Sequence, residues 1–155
     1  MKKGKFSINL SIAVLCVVAV VLVIFLITGP MIFDLYMTGF RGFESGGTAL
    51  TNLGIVCGIC FYSASIFAAI ILYSLFKLLF NIKKEEVFIP KNATYLRIVS
   101  WCSFAIALIT FVGGFFYMPL LFIAMAGFFA GVLLRVVKNV MYSAIELKQD
   151  NDLTI

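Results

Sequence analysis

The sequence contains no histidine, and only 12% of its 155 residues are charged, about half the share usual in a soluble domain. Without histidine it lacks the side chain that most readily exchanges protons near neutral pH and most often binds metal. None of Asp34, Glu44, Glu85, Glu86, Glu146, Asp150 or Asp152 falls inside a long apolar run. A proton- or cation-coupled carrier would therefore lack the ionisable group near the bilayer centre that such transport uses. No glycine-rich phosphate cradle, paired carboxylate or metal-ligand spacing occurs in the sequence. We therefore expect no catalytic residue, no cofactor and no metal site, and a protein that is not an enzyme.

What is present is apolar: 63% of residues are hydrophobic, and the mean hydropathy is +1.14. A helix needs roughly 20 mostly apolar residues to cross about 30 Å of hydrocarbon. Four segments qualify, the first being LSIAVLCVVAVVLVIFLI, and they read as spans at about residues 8–29, 51–80, 94–117 and 119–140. Between them lie an outer connection over 30–50, an inner one over 81–93 and the short link FYMP, with a tail over 141–155. The expected fold is an all-α integral membrane protein, one domain forming a four-transmembrane-helix bundle. Pro119 suits the first turn of the fourth helix, where its missing N–H costs nothing.

Lys and Arg set the orientation. Lys2, Lys3, Lys5, Lys77, Lys83, Lys84, Lys91, Arg97, Arg135, Lys138 and Lys148 lie at one end of the spans, and Arg41 alone lies at the other. This places both termini in the cytosol of a multi-pass protein of the cell membrane. The net charge of +5 is then a topology signal and a match to the anionic lipid bilayer, with no direct nucleic-acid partner. The start MKKGK followed by an apolar run has the look of a signal peptide, but the run is longer than an h-region and TGPM offers no small-residue cleavage pattern. The first span is expected to remain.

Cys57 and Cys60 stand three apart in VCGICF, on one face of a helix near its outer end. The arrangement resembles the redox pair of quinone-linked disulfide oxidoreductases of the DsbB type, which implies a thiol–quinone oxidoreductase as the alternative function. Those enzymes use a second cysteine pair between spans three and four, where FYMP has none. Packing is the simpler reading, since cysteine is a small apolar residue in buried helices. Gly54 with Gly58, Gly127 with Gly131, and Ala64 with Ala68 have the small-residue spacing that lets helix backbones approach in lipid. Contacts within one chain and a homo-oligomer both satisfy it. Ser63, Ser65, Ser74, Ser103 and Thr110 read as hydrogen-bonding glue between helices.

The outer connection, PMIFDLYMTGFRGFESGGTALT, reads as a glycine- and aromatic-rich cap at the headgroups. A lipid- or small-peptide-binding role for it is a further alternative. On the inner side, KKEE is a solvated turn, and Val87, Phe88 and Ile89 are β-prone and end at Pro90, which begins a helix. Past Leu133 the apolar periodicity continues through Val137, Val140, Ala144 and Leu147, so the fourth helix should project about two turns beyond the hydrocarbon. Asn151 is expected to stop it in a left-handed conformation. Leu153, Thr154 and Ile155 then form an extended tip, able to add to a partner's sheet edge or to pair with 87–89 as a two-stranded clasp.

Two runs, VFIPKNATYLRIVSW and VVKNVMYSAIELKQDNDLTI, together with the four spans, resemble the YoaS-like small bacterial membrane proteins, a domain of unknown function. The family often has Ser or Thr after the loop Phe as a helix cap; Ile89 and Pro90 stand here instead. The resemblance implies a four-helix membrane protein frequently encoded beside a small helix-turn-helix regulator. The expected role is a regulatory or interaction module whose cytosolic face binds a soluble partner such as that regulator. The residues expected there are Phe88, Asn92, Leu96, Arg97, Glu146, Asp152, Leu153 and Ile155.

Overall fold

In the computed structural model, residues 2–35 and 48–152 are described, and they form four helices. These are α1 (Lys2–Leu35), α2 (Thr48–Lys83), α3 (Pro90–Gly114) and α4 (Pro119–Asp152), and no strand occurs among the described residues. Each is long and apolar enough to cross a membrane. Close backbone approach occurs only between consecutive helices: α3 with α4 most extensively, α2 with α3 next and α1 with α2 least. Among the described residues the helices are therefore arranged in chain order rather than closed into a ring, with α2 and α3 flanked on two sides.

The α1 helix shows why sequence gives it no face: it is apolar all round. Its half-buried residues include Ile8, Ile12, Leu15, Ala19, Leu22, Leu26, Gly29 and Phe33, a 4-3 spacing that marks one seam along a left-handed pair of helices. That seam faces α2, where a Cβ on Gly29 would meet the Phe61 ring at 3.0 Å. The rest of the helix exposes Val, Ile and Phe, a surface suited to hydrocarbon and costly in water.

Residue 30 was expected to leave the helix, yet α1 runs through Pro30 to Leu35. A proline lacks the N–H that would bond the carbonyl four residues back, here Leu26. The Tyr62 hydroxyl of α2 donates to that carbonyl at 3.4 Å, which supplies a partner for the orphaned group. The expected cap over Tyr36, Arg41 and Glu44 lies outside the described residues.

The α3 helix is the most enclosed, and beside Leu96 and Val99 what it buries is mostly small or polar: Asn92, Ala93, Ser100, Ser103, Ala107, Thr110, Gly113 and Gly114 among others. Small residues let neighbouring backbones come close where no hydrophobic drive exists between helices. A Cβ on Gly127 would meet the Ala107 Cβ at 3.1 Å, and one on Gly131 the Phe104 ring at 2.8 Å. The matching pair in α2 behaves differently: Gly58 has nothing within 4 Å, and Gly54 meets only the Phe33 ring at 3.5 Å. The spacing in α4 thus joins helices, whereas at Gly58 it joins none among the described residues.

The hydroxyls also differ from expectation. Ser63, Ser65, Ser103 and Thr110 all donate to carbonyls three or four residues back in their own helices. That local bond satisfies the hydroxyl without a second helix. A serine bond from one helix to another is made instead by Ser100, whose Oγ donates to the Gly131 carbonyl at 2.8 Å.

Candidate interaction surface at the basic end

The helices alternate in direction, so the start of α1, the end of α2, the start of α3 and the end of α4 share one end of the molecule. Its described cations include Lys77, Lys83, Lys84, Lys91, Arg97, Arg135, Lys138 and Lys148. Several rest on aromatic faces: Lys77 Nζ lies 5.7 Å from the Tyr73 centroid, Lys84 Nζ 4.9 Å from Phe80, Lys138 Nζ 5.3 Å from Tyr142 and the Arg135 guanidinium 5.5 Å from Trp101. Amphipathic rings carrying cations are the side-chain chemistry of a headgroup zone.

The link between α2 and α3 is built from the backbone outward. Glu85 N–H donates to the Ile82 carbonyl and Glu86 N–H to the Asn81 carbonyl, the paired bonds of a Schellman stop. The motif places Glu85 in the left-handed region at φ 67°, a position that favours glycine. The chain then passes Val87 and Phe88 to Ile89, which occupies the N-cap of α3 without a side-chain cap bond and is followed by Pro90.

Asn92, rather than a cap hydroxyl, anchors the start of α3. Its Nδ2 donates to the Glu86 carbonyl at 2.7 Å and the Val87 carbonyl at 2.8 Å, while its Oδ1 accepts from Asn81 Nδ2 at 2.8 Å. The side chain is fully buried at 0% exposure. One amide thus ties the end of α2, the connecting loop and the first turn of α3 together. Asn92 was expected to face a partner, and Leu96 with it; both are buried, so they support the surface from within.

The residues that do face outward are Phe88, at 48% exposure, Arg97 and Glu146. By the register of Ser100 on Gly131 and Ala107 on Gly127, Ile145 of α4 lies just past the level of Pro90, the first residue of α3. It is buried, the last residue of α4 to be so among those whose side chains are described. From Glu146 to Asp150 every residue is exposed, including Leu147 at 66%. Contrary to the expected stop, α4 continues through Asn151 to Asp152. The stub from 146 to 152 runs about 10 Å beyond Ile145 at about 1.5 Å per residue. The Asp152 side chain, and Leu153 and Ile155 with the proposed two-stranded clasp, lie outside the residues whose side chains are described; 87–89 form no strand.

Cys57 and Cys60 are both free thiols. Cys60 Sγ sits 3.8 Å from the Ile109 carbonyl and against Gly113, where a Cβ would approach it to 2.8 Å. It is lodged in the seam between α2 and α3, a packing position. Among the described residues no cluster of three metal-ligating side chains occurs.

Residues 38–155 match a protein family described as Protein of unknown function (DUF2975). The match spans α2, α3 and α4 and leaves out α1, the helix with the thinnest packing. No curated protein and no solved structure matches the chain.

Proposed function

The chain belongs to the DUF2975 family of proteins of unknown function, and from that premise we propose a non-enzymatic, multi-pass protein of the cell membrane whose basic end lies in the cytosol and binds a soluble partner there. The projecting stub of α4 carries this reading. A helix that runs on past its last buried residue, Ile145, leaves Glu146 and Leu147 exposed, and Phe88 at the same end of the molecule is exposed as well. A short exposed helical end carrying a leucine is a feature that a groove on another protein can take. The positive-inside distribution of Lys and Arg supports the orientation. The resemblance noted above supports a small helix-turn-helix regulator as the partner, held at the membrane and away from nucleic acid.

Two variants test the proposal: deletion of 152–155 and the substitution Leu147→Asp, each with capture of soluble proteins from detergent extracts. The expected result is loss of the helix-turn-helix protein from the capture with the thermal midpoint of the membrane domain unchanged. Undiminished capture with a lowered midpoint would instead assign the tail to bracing its own chain.

A further inference from the structure

We propose that the seam between α3 and α4 at the basic end holds the headgroup of an anionic phospholipid, bound by Arg97, Arg135 and Lys138 with Trp101 as its floor. Arg97 and Trp101 stand one helical turn apart on the same face of α3. The Arg135 guanidinium reaches across from α4 to 5.5 Å from the Trp101 centroid. By the register of Ser100 on Gly131 and Ala107 on Gly127, Arg97 falls level with the turn of α4 that carries Arg135 and Lys138. Three cations thus lie within about one turn of the same level on two adjacent helices.

Neither helix places a carboxylate among them. The α3 helix contains no acidic residue, and the first on α4 is Glu146, two turns or about 12 Å beyond Lys138. Among the described residues none of the three cations has an ion-pair partner. Ring faces hold Arg135 and Lys138 in place but leave their charge intact, so the site is preorganised for an anion. Lys77 and Lys84 each rest singly on a ring four residues away in α2 and make no such group.

The neighbouring surface selects a lipid over a free anion. From Arg135 the stripe continues along α4 through Val132 to Phe128, both exposed, and Phe128 meets Phe104 at 5.8 Å between centroids. A phosphate held by the cations would therefore have an apolar track leading from it toward the membrane core, fitted to an acyl chain. Clustered Lys and Arg at the edge of the hydrocarbon attract anionic headgroups by about 1 kcal/mol each.

The inference rests on the membrane placement proposed above and is independent of the soluble partner. Trp101 is the only tryptophan, so its emission reports on this site alone. We would titrate the full chain in uncharged detergent with short-chain phosphatidylglycerol, phosphatidylcholine of equal chain length, or inorganic phosphate. A saturable change with phosphatidylglycerol alone is expected. Arg135→Gln with Lys138→Gln should raise its half-saturation on the order of tenfold or more, whereas Lys83→Gln with Lys84→Gln should leave it unchanged. Equal responses to both lipids, the same response to inorganic phosphate, or a double variant that titrates like the parent would overturn the site. If the double variant loses its helical circular dichroism, Arg97→Gln, at an exposed position, carries the test in its place. Alkaline washing of membranes reads the placement separately: a chain that washes off defeats that reading, and a retained chain with no lipid response defeats only the site.

Discussion

At the residue scale, two side chains show how far a local reading reaches. Proline 30 marks the end of an apolar run, and nothing nearby in sequence offers its orphaned Leu26 carbonyl a partner. The partner is Tyr62, which only the packing of α2 on α1 brings there. Asn92 is legible as polar at a helix start, but its three bonds depend on where Asn81 and the loop carbonyls fall. Asn92→Ala should therefore lower stability by about 2–4 kcal/mol, since it strands buried acceptors along with the lost bonds; chemical unfolding in detergent would measure it. An effect below about 0.5 kcal/mol would show that water reaches the loop carbonyls. The two glycine pairs make a matched contrast. Gly127→Ala presses a methyl against Ala107 and should cost about 1–2 kcal/mol. Gly58→Ala enters open space and should be neutral or gain up to about 1 kcal/mol of helix propensity. If the two shift the unfolding midpoint alike, the α3–α4 contact is looser than its geometry indicates.

At the scale of the element, helix ends decide what the apolar pattern leaves open. The α2 helix stops at a Schellman turn whose left-handed residue is Glu85 rather than glycine. Glu85→Gly should accordingly raise the thermal midpoint, equivalent to about 1 kcal/mol, whereas Glu86→Gly at ordinary φ should not. A glutamate in a charged turn gives no sequence hint of this role, because the stop is made by backbone bonds to Asn81 and Ile82. The end of α4 illustrates the opposite error. Asn151 has the chemistry of a helix stop, yet the helix continues through it to Asp152. Serines follow the same rule: a hydroxyl inside a helix finds its own preceding carbonyl first, and Ser100 reaches α4 only because Gly131 brings a carbonyl to it.

At the scale of the molecule, the helices differ in what they contribute. The α3 helix is enclosed by α2 and α4, while α1 touches only α2 and along one seam. Replacing the apolar stretch of α1 with an unrelated leucine–alanine helix of equal length should lower stability by less than about 2 kcal/mol. The same replacement in α3 should prevent folding, with detergent-extracted monodisperse protein as the readout. Composition, the run lengths and the placement of Lys and Arg determined by themselves that the chain is helical, has four segments fit for hydrocarbon and carries its charge at one end. These depend on residue-by-residue transfer from water and need no knowledge of neighbours. Which face of each helix is covered, which glycine admits a backbone, that Asn92 is a buried clamp and that Arg135 reaches across to Trp101 were decided only by the tertiary structure. In helices apolar on every side the hydrophobic pattern has no preferred direction, so the choice falls to small residues and hydrogen bonds whose partners lie in other helices.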